Sequence, residues 1–413
     1  MSALPSLPEA TPTLSDIRAA AERLEGRIVR TPCARSLAFV DELPCQLWFK
    51  FENMHRMGAF KERGALNRLS LLTAEERQRG VVAASAGNHA QAVALHATRL
   101  GIPSTVVMPE TAPFIKVTRT RNFGARVVLK GARFSDAIAE AKRLQEAEGM
   151  VMVHAYDDPH VIAGQGTIGL EIADQVPDVT MVVVPIGGGG VISGTALALK
   201  ALKPDVRIVG VEADAAPTAL RSREEGRIVD IETSETLADG IAVKRVGDLT
   251  FPIIERFVDD IVTVGEEEIA SAIMVLLERE KTLVEGAGAA PMAALLAGRI
   301  PVEADDVVVP VLCGGNIDVS KLSRIIERGL VGDGRLARLM VKVRDRPGSL
   351  ARLTRRVAEL GANVVEIGHR RAFADISVGD VEIVMHLETR GRDHVAEIVQ
   401  GLEHDGHVVE EYV

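Results

Sequence analysis

The sequence predicts an α/β protein: two domains built on open parallel sheets, followed by a smaller ferredoxin-like unit of order βαββαβ. Three observations carry this expectation. Short runs of Val, Ile and Leu alternate with longer amphipathic stretches through most of the chain, and unbroken apolar strands separated by helices mark parallel sheets covered on both faces. The 413 residues exceed one ordinary domain. Beyond the turn-forming run Val331-Gly332-Asp333-Gly334 the order of elements changes.

Taken in chain order, strands are expected at 81–84, 104–108, 126–129, 150–153, 179–184, 206–211 and 307–312, with helices between them such as 134–147 and 266–280. A smaller sheet domain is expected over about 50–155, inserted within a larger one, the two filling 1–330. In 335–413 the pattern reads strand 336–343, helix 349–360, strands 363–371 and 381–387, helix 393–402 and strand 407–412. On the first of these helices Leu350, Leu353, Val357 and Leu360 share one face, and Arg352, Arg355 and Arg356 take the other.

Composition excludes several function classes. The net charge is −10, with 58 acidic against 48 basic residues, so no nucleic-acid partner is expected, since phosphates demand a basic surface. The most apolar window, 179–202, is interrupted by Pro185 and four glycines, which reads as strand, turn and helix and not as a membrane span. Three cysteines, Cys33, Cys45 and Cys313, form neither a disulfide framework nor a zinc spacing. Residues 1–13 lack the basic and apolar regions of a signal peptide. A cytoplasmic location is the expectation.

Four motifs carry chemistry. Gly58-Ala59-Phe60-Lys61-Glu62-Arg63-Gly64-Ala65 places a lysine beside an aromatic ring between glycines. Lysine forms Schiff bases with aldehydes, so Lys61 is a candidate anchor for pyridoxal phosphate, although most lysines are surface charges. Ser85-Ala86-Gly87-Asn88-His89-Ala90-Gln91 follows the strand at 81–84 and opens a helix; its free amides suit a carboxylate, although a capped β–α turn has the same look. Gly187-Gly188-Gly189-Gly190 lies between a strand and a helix. Four glycines carry an entropic cost that makes sense where backbone wraps a phosphate. Cys313-Gly314-Gly315-Asn316 follows the strand at 307–312; its thiol could face a ring nitrogen or be one more small buried residue. A fifth string, Gly164-Gln165-Gly166-Thr167-Ile168-Gly169, matches the dinucleotide fingerprint G-x-G-x-x-G but does not leave a strand directly, because Asp157-Asp158-Pro159-His160 intervenes. A nicotinamide site is not expected there.

In this order, each after a strand or at a helix start, the four motifs resemble the fold type II family of pyridoxal-phosphate enzymes (the tryptophan synthase β-like fold), and within it the serine/threonine dehydratases that carry a C-terminal ACT domain. The resemblance covers nearly the whole chain from about residue 14. It implies that Lys61 carries the cofactor as a Schiff base and moves the Cα proton, that Phe60 packs beside the ring, and that Asn88 bonds the ring hydroxyl. It further implies that Gly187, Gly188, Gly189 and Gly190 hold the phosphate, that Cys313 faces the pyridine nitrogen, and that Ser85 with the backbone of Gly87, Asn88 and His89 holds the substrate carboxylate.

Two positions depart from the family pattern. Ala59 stands where serine is usual. Ala86 stands where related serine racemases have a serine that acts as base on the opposite ring face. Racemisation needs two bases and elimination needs one, so Ala86 favours a dehydratase. Some relatives bind a divalent cation through an acid pair; here Glu212 is present but Thr218 occupies the second place, so no required metal is expected.

The resemblance implies deamination of L-threonine to 2-oxobutanoate, with L-serine as a second substrate and serine or threo-3-hydroxyaspartate lyase activity as the alternative; a non-catalytic amino-acid sensor is the more distant one. Asp345-Arg346-Pro347-Gly348-Ser349-Leu350 resembles the ligand loop of ACT domains. An effector site of Asp345, Gly348, Asn363 and Val364 is expected, with isoleucine or valine as ligand, in a homodimer or homotetramer.

Overall fold

The computed structural model describes residues 6–371 and 379–412. The chain divides between Ile317 and Asp318 into two compact units.

The first unit holds two sheets. The larger orders its strands Cys33–Arg35, Gln46–Lys50, Val307–Pro310, Met181–Pro185, Arg207–Ala213 and Asp260–Val264 from edge to edge. All neighbours are parallel except the first pair. The smaller sheet orders Arg126–Leu129, Ser104–Met108, Val81–Ala84 and Val151–Met152, all parallel. Its strands fall in sequence between the strands Gln46–Lys50 and Met181–Pro185 of the larger sheet. Parallel strands buried on both faces need apolar side chains on both faces, and Met181–Pro185 and Ser104–Met108 are buried along their whole length. No described helix is long and apolar enough to cross a membrane.

The G-x-G-x-x-G string lies inside the helix Pro159–Gln175, started by Pro159 and by the Asp158 carboxylate, which accepts from the His160 and Val161 amides. Its glycines serve helix packing. A Cβ on Gly164 would come within 2.7 Å of the Gly64 Cα, and one on Gly169 within 2.7 Å of the Thr195 carbonyl. The string lets this helix lie directly against Lys61–Ser70 on one side and Gly190–Leu202 on the other.

The second unit opens with the helix Val319–Gly332, so the run at 331–334 is a helix end; Gly334 there has φ +69°. An antiparallel sheet follows, ordered Asn363–Arg370, Asp380–Glu388, Leu336–Arg344 and Val408–Tyr412. The helices Ser349–Glu359 and Arg392–His404 complete the βαββαβ order. Alternate residues Leu339, Val341, Ile383 and Met385 turn inward and pack with Leu353, Val357 and Ile398. Of the four leucine and valine positions expected on the first helix's inner face, Leu350 is the exception at 40% exposed.

Candidate active site

Backbone hydrogen bonds bring the sequence motifs together. The Phe60 amide donates to the Cys313 carbonyl (3.0 Å) and the Gly315 amide to the Gly58 carbonyl (2.8 Å). Ala59 and Gly314 form an isolated antiparallel bridge. The lysine motif is thus tied to the end of a central strand of the large sheet. Gly58, at φ +77°, leaves room for the Asn316 side chain, which would sit 2.9 Å from an added Cβ. Asn316 Nδ2 donates to the Met57 carbonyl (2.7 Å) and to Asn88 Oδ1 (2.9 Å), and Asn88 Nδ2 donates to Glu285 Oε1 (2.7 Å).

Lys61 opens its helix, and its Nζ donates to the Ala155 carbonyl (2.8 Å) and lies 4.8 Å from the Phe60 ring centre. Burial pushes its pKa down to about 8, with Cys313 and Glu285 acting in the opposite direction. Burial also raises the Cys313 thiol well above its ordinary value, so it stays neutral. His89 Nε2 lies 2.8 Å from the Val153 carbonyl, which can only accept; with burial and Lys61 holding the ring near pKa 3, His89 is neutral with its proton on Nε2. Its buried Nδ1 has no partner among the described residues.

The tetraglycine turn closes the same region from the large sheet. A Cβ on Gly188 would meet the Tyr156 ring at 2.3 Å, and Gly189 has φ +91° with Thr250 2.8 Å from an added Cβ. The Thr250 hydroxyl donates to the Gly188 carbonyl (2.7 Å). Tyr156 follows the Ala155 carbonyl that receives Lys61, so the segment 154–157 links lysine to turn. The first-turn amides of Gly190–Leu202 and Asn88–Arg99 have no intrahelical acceptor, and neither helix has a side-chain cap. A Cβ on Gly87 would meet nothing within 4 Å, so that helix start faces open space. The Ser85 hydroxyl accepts from the Gly87 amide (3.2 Å).

These groups fit pyridoxal phosphate. An amine with a lowered pKa suits an aldehyde, a glycine cradle with free amides suits a phosphate, and a neutral thiol suits an unprotonated ring nitrogen. A cation site is not suggested by Glu212. Its buried carboxyl, raised to about 7 by desolvation, accepts from the Ala219 and Leu220 amides (2.8 and 2.9 Å) and so caps a helix start, while the Thr218 hydroxyl donates to the Val243 carbonyl (2.6 Å).

Sequence reasoning missed Glu285, Tyr156 and the bonding role of Asn316. The legible signal for Glu285 was an acid in the otherwise apolar run Leu283-Val284-Glu285-Gly286-Ala287-Gly288. The four expected effector residues do not come together within one chain. Asp345 and Gly348 line a hollow of about 320 Å³ with Arg346, Ser349, His369 and Arg371. Asn363 lies across Glu388 and Leu336, at the other end of the sheet from Arg344 and Asp380; eight residues of strand separate the ends by about 27 Å.

Residues 24–314 match the family described as pyridoxal-phosphate dependent enzyme, and residues 337–404 match the ACT domain. The chain belongs to the pyridoxal-phosphate-dependent enzymes and carries a C-terminal ACT domain. A Thermotoga maritima protein named L-threonine ammonia-lyase is 49% identical over 397 residues, 96% of this chain and 98% of its own. The processed form of threonine deaminase isoform 2 from Solanum lycopersicum superposes with a TM-score of 0.73 at 35% identity, covering 80% of this chain and 94% of that one. Maize serine racemase gives 0.73 and 35%, covering 78% and 99%. Within its family the chain is a lyase.

Proposed function

We propose that this lyase deaminates L-threonine to 2-oxobutanoate and ammonia, with L-serine going to pyruvate. The observation that carries the reading is the part-buried amine of Lys61, the one lysine of the four motifs, with alanine at position 86. One base supports elimination; a racemase needs a second. The near full-length likeness to an L-threonine ammonia-lyase supports the same substrate.

When bound, pyridoxal phosphate supplies an electron sink that acidifies Cα of an amino acid attached through its nitrogen. The chain's residues do the rest. Lys61 anchors the cofactor at rest, and once released its amine accepts the Cα proton, a task suited by its lowered pKa. The amides at the start of Asn88–Arg99, with Ser85 and the backbone of Gly87 and His89, orient the substrate carboxylate. The amides of Gly187 to Gly190 would hold the phosphate, Asn88 would donate to the ring oxygen, and neutral Cys313 would leave the ring nitrogen unprotonated. Phe60 would pack beside the ring. The Cα–H bond breaks with its proton passing to Lys61, and the β C–O bond breaks with the hydroxyl taking up one proton to leave as water, so that Cα–H and β-OH together make one water. The released enamine takes up water and gives ammonia and the 2-oxo acid. With Glu212 and Thr218 committed to the protein, turnover requires no divalent cation.

An assay for 2-oxo acids tests the substrate. Turnover per KM is expected to be highest with L-threonine and lower with L-serine. Preference for L-serine or threo-3-hydroxyaspartate would overturn the assignment.

The ACT domain supports feedback by a branched amino acid, isoleucine or valine, on the first step towards isoleucine. We assign the carboxylate of that effector to the hollow at Asp345 and Gly348, where the helix Ser349–Glu359 starts and the amides of Leu350 and Ala351 have no intrahelical acceptor; Asn363 and Val364 can join it only from a second copy, in a cytoplasmic homodimer or homotetramer. Asp345 is already paired with Arg371 (2.9 Å), so ligand binding competes with this contact. Calorimetry is expected to give heat with isoleucine; isoleucine is expected to weaken threonine binding, and threonine then weakens isoleucine binding by the same factor. Silence with both isoleucine and valine would sink the effector site.

A further inference from the structure

Glu285 is a buried carboxyl, 7% exposed, for which the proposed reaction has no task. It stands at the N-cap of the helix Gly286–Leu296, and its amide donates to the Gly314 carbonyl (3.0 Å). Its Oε1 is wedged against two glycines: a Cβ on Gly314 would lie 2.3 Å from it and one on Gly240 3.7 Å. That oxygen accepts from Asn88 Nδ2 at 2.7 Å.

The hydrogen bonds here run in one direction. The Met57 carbonyl can only accept, so Asn316 must turn its Nδ2 towards it; the same Nδ2 donates to Asn88 Oδ1, which leaves Asn88 Nδ2 facing Glu285. Asn88 thereby spends its acceptor on Asn316 and one N–H on Glu285. One N–H remains to offer a ligand. Turned over, Asn88 would set its oxygen against the Glu285 carboxylate and present an acceptor to the ring instead.

We propose that Glu285 is a positioning residue that locks the Asn88 amide as a donor, so that the cofactor's ring oxygen is held in its ionised form. The inference rests on the placement of the ring oxygen against Asn88. The groups that face Glu285 electrostatically are Asp239, Lys116, Lys61 and Cys313. Burial first, and Asp239 second, raise its carboxyl to about 7, and Oε1 accepts from Asn88 whether or not the other oxygen carries a proton.

The test uses the full-length holoenzyme and three variants, reading the ratio of visible to near-ultraviolet cofactor absorbance and the cofactor concentration needed for half-saturation. Glu285→Ala is expected to shift the ratio towards the near-ultraviolet form and to weaken cofactor retention about tenfold, the usual effect of one lost hydrogen bond to a charged group. Glu285→Gln keeps an acceptor oxygen and is expected to return the ratio to near wild type. In an Asn88→Ala background, Glu285→Ala is expected to add nothing. If Asn88→Ala shifts the ratio and Glu285→Ala does not, the role of Glu285 falls and the placement of the ring stands. If Asn88→Ala leaves the ratio unchanged, that placement falls. Equal defects in the Gln and Ala variants, or additive effects with Asn88→Ala, also overturn the proposal.

Discussion

Replacing Lys61 by alanine is expected to abolish the visible absorption of lysine-linked cofactor and to reduce threonine turnover by at least about a thousandfold, since both the anchor and the single base are lost. The lowered pKa of the amine suits both proposed tasks. At pH 7 a pKa of about 8 leaves about one molecule in ten neutral, against about one in three thousand for an ordinary lysine. The variant also separates chemistry from folding. Lys61 binds its proton less tightly in the folded chain than when unfolded, so its charged form costs the folded cofactor-free protein about 3 kcal/mol below pH 8. Between pH 8 and the unfolded value of 10.5 the unfolded chain binds more protons, and the cost fades as pH rises. Cofactor-free Lys61→Ala should therefore resist urea at least as well as wild type at pH 7, with its relative advantage shrinking towards pH 10. Retained turnover and absorbance would remove Lys61 from the reaction. A variant that turns nothing over and also unfolds early at pH 7 would show the lysine to be structural.

The parts of this site legible in the sequence are those where a local rule is broken visibly. Four adjacent glycines are a poor choice for either strand or helix, and they lie where Tyr156 and Thr250 leave no room for a Cβ. Ser85 to Gln91 and Cys313 to Asn316 each follow an apolar strand, and parallel topology gathers strand ends to one side. Glu285 breaks a local rule only as a lone acid in an apolar run, which says nothing of what it touches, and Tyr156 breaks none. Their importance arises from contacts with Asn88 and Gly188, 197 and 32 positions away, which periodicity cannot register. The antiparallel edge strand Cys33–Arg35 is three residues long and only partly buried, too short for an alternation to show. In the second unit the alternating strands were readable because one face is buried; the separation of Asn363 from Asp345 follows from register, which a set of motif residues does not contain. Charged residues hid most completely. Nothing in the local sequence marks Lys50, Glu52, Arg63 and Glu171 as a cluster, yet the first three are fully buried.

Those four carry the second large effect, this time on stability. Arg63, two residues after Lys61, spends its donors on both oxygens of Glu52 (2.7 Å each), both oxygens of Glu171 (2.6 and 2.9 Å) and Thr167 (3.0 Å). Lys50 completes the balance on Glu171 (2.6 Å), and His55 touches Glu52 (2.9 Å). Removing one partner of a buried pair leaves the other charge uncompensated, so Arg63→Met is expected to destabilise the fold by about 3–5 kcal/mol in urea unfolding at pH 7. The pH dependence identifies the cause. Burial alone would raise the Glu52 carboxyl, but Arg63 and then His55 hold it well below the ordinary 4.5. In wild type Glu52 thus stabilises the fold above its unfolded value, and this contribution is lost only as pH falls below 4.5 through the depressed folded value. Without Arg63, burial dominates and Glu52 takes up a proton on folding, so the variant loses stability as pH rises through the range above 4.5. The gap between the two proteins should therefore narrow on going from pH 7 to pH 5, and Glu52→Gln in the Arg63→Met background should recover part of it. A deficit that stays constant with pH and does not respond to Glu52→Gln would assign the loss to packing of the arginine side chain instead of its charge. Because the same helix begins at Lys61, the charge-balanced cluster also fixes the base of the Lys61 side chain, and the turnover of Arg63→Met should fall with its stability while the double variant regains part of both.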